Sequence, residues 1–147
     1  EIRPRDWSSD VCSSDLSELG IDRQVEFTGR LERDELARRL RESSVSLNPS
    51  LADNMPNSVL EAQAAGLPVI STRHAGICEA VQHGQTGLLV DERDICGMAE
   101  HMVQLLNDPV RTRAMGAAAR QHIRANYSMD RHLNVLQSAI NLAMTGS

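Results

Sequence analysis

The chain has 147 residues, enough for one domain, and contains no apolar run long enough to span a membrane. Twenty acidic and fifteen basic side chains give a net charge of −5, and there is one Trp, one Tyr and one Phe, which argues against a nucleic-acid surface. Three cysteines lie far apart with no CxxC pair, and the N-terminus lacks a signal-peptide pattern. We therefore expect the protein to be located in the cytoplasm, either free or at the inner surface of the membrane.

Residues 1–16 differ in character from the rest of the chain. DWSSDVCSSDL (Asp6–Leu16) resembles a translated sequencing adapter, and Glu1-Ile2 fits other adapter bases. A natural Ser-rich leader is the alternative. We therefore treat residues 1–16 as a non-native leader and residues 17–147 as the candidate domain, which retains sixteen acidic and thirteen basic side chains.

The first predicted elements of this domain alternate between helix and strand. Ser17–Gly20 has the pattern of a last helical turn stopped by glycine. Gln24–Thr28 (QVEFT) alternates and is predicted to be a strand. Glu32–Glu42 carries an apolar stripe at helical spacing, and Ser44–Asn48 is a short strand of the buried type.

The same alternation continues after Asn48. A short helix is predicted to end at Gly66, followed by a strand over Pro68–Ser71. Ile77–His83 is predicted to be a helix closed by Gly84, and Thr86–Val90 another strand.

Three helices are predicted to complete the chain. The first follows Asp91 and stops at Asn107-Asp108-Pro109, and the others cover Val110–Asn126 and roughly Met129–Met144. Strands that alternate with helices indicate an α/β protein with a Rossmann-like parallel sheet. We expect the last helix to pack against that sheet or against a further domain.

The segment Asn48–Thr72 carries the strongest functional signal. Asp53 and Glu61 bracket the predicted helix start, with seven residues between them. Helix N-termini at the carboxyl edge of a parallel sheet present backbone N–H groups to anions. Anion-binding amides beside two carboxylates indicate a nucleotide-linked ligand that also carries hydroxyl groups.

Several motifs give the chain a family resemblance from about Ser17 to the last helix. VEFTG, NPS, EAQAAGLPVIST, RHAGICEAVQHGQTGLLV and MGAAAR occur in order. Together they resemble the donor-binding C-terminal domain of family-4 (group 1) retaining glycosyltransferases of the GT-B fold. The resemblance implies transfer of a hexose from a nucleotide-diphosphate donor to a hydroxyl acceptor with retention and without a metal or other cofactor. Bacterial members commonly build polysaccharides or glycolipids.

The resemblance also implies roles for individual residues. Glu61 would accept hydrogen bonds from the ribose diol, and Asp53 would be the catalytic-site residue that contacts a sugar hydroxyl and holds the loop. Aspartate replaces the family's glutamate at position 53 and is about 1.5 Å shorter. The full implied donor-binding set is Asn54, Met55, Pro56, Asn57, Ser58, Glu61, Gly76 and Glu79.

Structural alternatives exist for most of these residues. Ser58 and Glu61 have the spacing of a capping box, and Asp53 could form a turn. Gly76 and Glu79 could serve only the entry and capping of their helix, which is the interpretation we favour. His74 and Cys78 are four residues apart, but no further ligands accompany them, so a metal site is not expected.

Three other functions compete with sugar transfer. A GT-B-fold epimerase or a non-catalytic nucleotide-sugar-binding module would share the base and ribose site. A dinucleotide-binding dehydrogenase domain would need GxGxxG after its first strand, which this sequence lacks. A helix-rich interaction module would rely on the amphipathic last helix.

We predict that the isolated chain is unstable and does not transfer sugar. The resemblance places the family's catalytic Arg and Lys, the first two strands and the acceptor domain before the retained residues. A sheet without two of its inner strands exposes unpaired backbone groups and apolar faces. Thermal denaturation and a donor-turnover assay test this. A cooperative transition of a monomer, or unaided transfer, would contradict it.

Overall fold

The structure is a computed structural model that describes residues 16–51 and 54–145. The predicted leader, residues 1–16, lies outside this part except for Leu16. The chain divides into two compact units, Glu1–Leu36 and Ala37–Ser147.

In the described part of the first unit, residues 16–18 are helical and Gly20 has a φ of +67°, which agrees with the predicted glycine stop. A 3-10 helix follows over Asp22–Gln24. The strand predicted over Gln24–Thr28 is wrong, because no described segment pairs with it and Phe27 is 56% exposed. β-propensity alone does not form a strand, since a strand needs hydrogen bonds from a neighbour. Helix α1, Arg33–Glu42, begins in this unit.

The second unit contains a parallel sheet in the order β1-β2-β3, as the alternation predicted. Its strands are β1 (Ser46–Asn48), β2 (Val69–Thr72) and β3 (Gly87–Val90). Val69 lies opposite Ser46 on one side and Gly87 on the other. Every side chain of β2 and β3 is buried, the pattern of strands covered on both faces.

Helices flank this sheet at both faces. Helices α2 (Asn57–Ala65) and α3 (Ala75–Ala80) pack on the face that carries Val69 and Leu89. Helices α4 (Ile95–Asn107) and α5 (Pro109–Asn126) pack on the face that carries Ile70 and Leu88, through Leu105 and Met115. Helix α5 also packs against α2.

The ends of three helices are defined by capping interactions of nearby residues. Gly66 has a φ of +93° and ends α2 as predicted, with its N–H bonded to the carbonyl of Gln63. The side chains of Asp94 and Asp108 accept hydrogen bonds from Gly97 N (2.8 Å) and Arg111 N (2.9 Å), and thereby cap α4 and α5.

One expectation about the helices is wrong, and a second is met only in part. Helix α3 covers Ala75–Ala80 rather than Ile77–His83, because the residues on either side of it, His74 and Val81, are both extended. Gly84, with a φ of +80°, instead belongs to the turn before β3. Helix α6 (Met129–Thr145) forms where it was predicted, but its side chains from Met129 to Met144 are all exposed, so it does not pack on the sheet. The alternative, packing against a further domain, stays a prediction. No helix in residues 16–51 and 54–145 is both long and apolar enough to cross a membrane.

Gly116 makes possible the close approach of α5 to the end of α2. A Cβ at residue 116 would overlap the carbonyl oxygen of Gly66, a backbone atom that cannot rotate away. We expect Gly116→Ala to destabilise the chain by about 1–3 kcal/mol, although Ala normally favours a helix by about 1 kcal/mol.

Urea denaturation of the parent enzyme that contains this domain, followed by circular dichroism, measures this effect. Ala114→Gly, at an exposed position of the same helix, measures the helix-propensity contribution alone. A Gly116→Ala variant more stable than the unmodified chain would show that the close contact does not constrain the two helices.

Candidate functional site at the carboxyl edge of the sheet

The predicted donor-binding segment lies where the parallel strands end. Two hydroxyl groups at the end of β2 bind the chain that leaves β1. Ser71 donates to the Asn48 carbonyl at 2.8 Å, and Thr72 donates to the Ser50 carbonyl. The Asn48 side chain accepts from Ser50 N at 3.2 Å and donates to Ser58 Oγ at 3.3 Å. These bonds fix the start of α2 relative to the end of β1.

The first turn of α2 offers unpaired backbone donors. Pro56 precedes Asn57, the first helical residue, and no side chain caps this end. Within the described part of the chain, the N–H groups of Asn57 and Ser58 have no hydrogen-bond acceptor, whereas Val59 N donates to the Pro56 carbonyl at 3.0 Å. Unpaired amides and the positive end of the helix dipole favour an anion here.

Glu61 lies one turn above these amides. Positions three and four residues apart share a helix face, so Glu61 is on the same side as Ser58 and Asn57, and all three are exposed. The capping-box interpretation is wrong, because α2 begins before Ser58 and Ser58 is therefore not the N-cap. Glu61 makes no hydrogen bond or ion pair with any described residue, so its carboxylate is available to a ligand.

Gly76 allows the loop before α2 to contact α3. A Cβ at residue 76 would overlap the carbonyl of Asn54 and lie 3.3 Å from the Cβ of Met55. The structure therefore brings Asn54, Met55 and Gly76 together. Asp53 lies outside the described residues, so its role stays a prediction.

Glu79 lies on α3 near the phenol of Tyr127, the residue that follows α5. Burial raises the pKa of Tyr127 above its usual value of 10.0, and the negative charge of Glu79 raises that pKa further. Tyr127 also packs against the apolar cluster around Val59 and Ile77. Glu79 does not cap the start of α3, where His74 is the N-cap, and its predicted contact with the donor stays a prediction.

Polar side chains that follow β2 and β3 pair with one another. Arg73 Nε lies 3.6 Å from Asp91 Oδ1, and His74 Nδ1 lies 3.0 Å from Glu92 Oε1. Among residues 16–51 and 54–145, no three His, Cys, Asp or Glu side chains converge as metal ligands would. Whether the reaction proceeds without a metal stays a prediction.

Gln63 is a buried polar residue whose role the sequence did not predict. Its Nε2 donates to the Thr86 carbonyl at 3.3 Å and to Thr86 Oγ1 at 3.2 Å. This amide joins α2 to the residue before β3. Ser71, Thr72 and Tyr127 were also missed. Polar residues that end apolar strands were the available signal for Ser71 and Thr72, and nothing in the sequence linked Tyr127 to Glu79.

Comparison with known proteins identifies the family of this chain. Residues 7–108 match the profile of the family described as "Glycosyl transferases group 1". The chain belongs to this family. A GDP-mannose-dependent monoacylated alpha-(1-6)-phosphatidylinositol monomannoside mannosyltransferase of Corynebacterium glutamicum is 35% identical over 129 residues. That match covers 80% of this chain and 34% of the relative, so this group 1 chain spans about a third of the relative's length.

Solved structures place the group 1 chain in the GT-B fold. Sucrose-phosphate synthase from Thermosynechococcus elongatus superposes with a TM-score of 0.84 at 24% identity, covering 92% of this chain and 34% of that one. Anabaena HepE in complex with UDP-glucose superposes with a TM-score of 0.80 at 18% identity, covering 88% and 35%. At these identities the likeness establishes the fold alone.

Tyr127 provides a spectroscopic test of the contact with Glu79, because it is the single tyrosine of the chain. We expect its phenol in the folded chain to titrate above pH 10 because burial and Glu79 both disfavour the phenolate. A raised folded-state pKa means that this group stabilises the fold fully below about pH 10, and that the contribution is lost as the pH rises through the folded pKa.

Ultraviolet absorbance of the phenolate, recorded for the folded and urea-unfolded chain, measures the shift. Glu79→Gln should bring the folded-state pKa closer to that of the unfolded chain, and Glu100→Gln, an exposed carboxylate on α4, should leave it unchanged. Equal pKa values in the folded and unfolded states would contradict the placement of Tyr127.

Proposed function

We propose that this chain is the donor-binding part of a glycosyltransferase that moves a hexose from a nucleotide-diphosphate sugar to a hydroxyl acceptor with retention. The proposal is carried by the groups that are exposed at the start of α2, over its first turn and a half. This part of the helix presents the unpaired amides of Asn57 and Ser58 and the unpartnered carboxylate of Glu61 on one exposed face. The parent enzyme would act in bacterial polysaccharide or glycolipid synthesis, in the cytoplasm or at the inner membrane surface.

The two kinds of group suit two parts of the donor. A diphosphate is an anion and fits the amides at the positive end of the helix. A ribose diol has two adjacent hydroxyl donors that match the two oxygens of a carboxylate. Asn54, Met55 and Pro56 would border the sugar, with Gly76 holding their loop and Glu79 beside it.

The same arrangement fits the demands of the transition state. As the bond from the sugar to the diphosphate breaks, negative charge grows on the leaving diphosphate, and amides already oriented toward it lower the barrier. Asp53 would contact a sugar hydroxyl. The cations that the family resemblance implies, and the acceptor-binding domain, would belong to parts of the parent enzyme that precede these residues.

The relatives do not agree on a nucleotide. One uses GDP-mannose, and another was solved with UDP-glucose. Neither the amides of α2 nor the Glu61 carboxylate would contact the base. We therefore propose that this chain binds the diphosphate and the ribose of its donor, the parts that these two nucleotides share, and we propose no base.

Nucleotide titration of the isotope-labelled parent enzyme, which contains this domain without the predicted leader, tests the role of Glu61. We expect UDP or GDP to shift the amide resonances of Asn57 and Ser58. Glu61→Ala should weaken binding tenfold or more, since hydrogen bonds to a charged group contribute about 1.5–3 kcal/mol. The 2′-deoxy nucleotide should bind more weakly than the ribonucleotide to the unmodified chain but equally well to Glu61→Ala, because the lost hydroxyl and the lost carboxylate are partners.

Glu100→Gln is the matched control for the loss of a carboxylate on a helix surface. Circular dichroism would verify that each variant keeps its helix content. The proposal fails if Glu61→Ala binds nucleotide like the unmodified chain, or if the variant still distinguishes ribose from deoxyribose.

A further inference from the structure

A groove of about 440 Å³ lies between α5 and the end of α2. Its lining includes three exposed arginines of α5, Arg113, Arg120 and Arg124, and the last residues of α2, Ala65 and Gly66. Helix α2 has nine residues, so this groove lies about 13 Å from the unpaired amides at the other end of the helix. We call it the α5 groove, and it lies outside the predicted donor site.

The positive charge of the α5 groove is not compensated by other groups. Helix α5 contains four arginines and no acidic residue. In the described part of the structure, Arg113, Arg120 and Arg124 form no ion pair, and no acidic side chain lines the groove. Arg120 and Arg124 are four residues apart on one helix face, a spacing at which like charges repel. The groove therefore favours an anionic occupant, whose charge would offset this repulsion.

The floor of the α5 groove is made of small residues. Ala65, Gly66 and Ala117 line it together with the arginines. A Cβ at residue 66 would lie 3.9 Å from Cδ of Arg120, so the arginine side chain passes close to the end of α2. Small side chains allow the axes of packed helices to approach to about 8 Å. The floor therefore has room for a further helix alongside α5.

The end of α2 adds hydrogen-bond acceptors to this positive groove. The N–H groups of Gly66 and Leu67 donate to carbonyls inside α2, whereas the carbonyl of Ala65 accepts no hydrogen bond from any described residue. A helix C-terminus carries partial negative charge and favours N–H donors. A ligand made only of phosphates offers no donor to this carbonyl. A polypeptide offers N–H donors as well as carboxylates, and therefore suits both walls of the groove.

The three arginines have the spacing of side chains on one side of a helix. Seven and four residues separate them, or about 10.5 Å and 6 Å along the axis, and both intervals are close to whole helical turns. Acidic residues at the same two intervals on a helix beside α5 would each face one arginine. A guanidinium can bind a carboxylate through two parallel hydrogen bonds.

We propose that the α5 groove docks an acidic helix of another protein. Carboxylates of that helix would bind the three arginines, and its small apolar side chains would lie on the floor of the groove. The described helices of this chain do not supply such a surface. Helix α1 has four arginines and three acidic residues, and α2, α3, α4 and α6 have one acidic residue each. The occupant is therefore a different protein and not a second copy. The proposal does not rest on sugar transfer, since no groove residue lies in the donor site.

Fluorescence anisotropy of a labelled helical peptide tests the proposal on the parent enzyme that contains this domain without the predicted leader. The matched peptide is alanine-based and carries three glutamates at the seven- and four-residue intervals of the arginines. Arg120→Gln combined with Arg124→Gln should weaken its binding about tenfold, because two exposed ion pairs together contribute about 1.4 kcal/mol. Arg93→Gln combined with Arg111→Gln removes the same charge at exposed positions outside the groove and should bind like the unmodified enzyme.

A second pair of variants tests the shape of the groove separately from its charge. Ala117→Leu fills the floor without changing any charge and should weaken binding of the matched peptide about fivefold or more, because overpacking costs about 1–3 kcal/mol. Ala114→Leu, at an exposed position of α5 outside the groove, should leave binding unchanged. Circular dichroism verifies that all variants remain folded.

Several outcomes would overturn the proposal. One is that the matched peptide does not bind the parent enzyme. Another is that a peptide with the same three glutamates at other intervals binds as tightly, or that both double arginine variants lose equally, since either result would show general charge attraction. Binding of tripolyphosphate to Arg120 and Arg124 without binding of the matched peptide would assign the groove to a phosphate ligand instead.

Discussion

Strand β2 is fully enclosed, and the rest of the second unit depends on how its polar groups are satisfied. All four of its side chains are buried, and parallel strands pair with it on both sides. A buried backbone group or hydroxyl without a partner costs about 1–3 kcal/mol. Ser71 and Thr72 therefore bond to carbonyls of the chain that leaves β1. The requirement for satisfied polar groups at the end of β2 thus also positions the loop before α2.

The packing of α2 against the core also determines which of its groups face the predicted donor site. Helix α2 buries Val59, Ala62 and Gln63 against the sheet and α5, which turns Asn57, Ser58 and Glu61 outward. Its N-terminus is left without a side-chain cap, so the first amides remain open. An open N-terminus would be a weakness in a purely structural helix, since a cap contributes about 1 kcal/mol. Its presence at the carboxyl edge of a parallel sheet fits a ligand that completes the helix.

Residues that act through local chemistry made much of the fold predictable. Gly66 and the Asp108-Pro109 pair define helix ends because their conformations or missing donors do not depend on distant parts of the chain. Gln24–Thr28 failed because a strand exists only with a partner. The contact of Gly76 with Asn54 was not predicted, because Asn54 is 22 positions earlier in the sequence and no local pattern reveals the contact. Glu61 was singled out by its position beside a helix start and by its family motif, and its role stays a prediction, whereas the proximity of Tyr127 to Glu79 depends on tertiary structure.

The buried bond between Gln63 and Thr86 has a consequence for the direction of Glu61. Consecutive helical residues are about 100° apart, so residues 61 and 63 point to nearly opposite sides of α2. Because Gln63 is tied to the residue before β3, α2 cannot rotate about its own axis without breaking that amide contact. The direction in which the Glu61 carboxylate points around the axis of α2 is therefore fixed by Gln63, a fully buried side chain on the opposite side of the helix. Substitutions in the interior behind α2 would therefore change the direction of the Glu61 carboxylate while every surface residue stays the same.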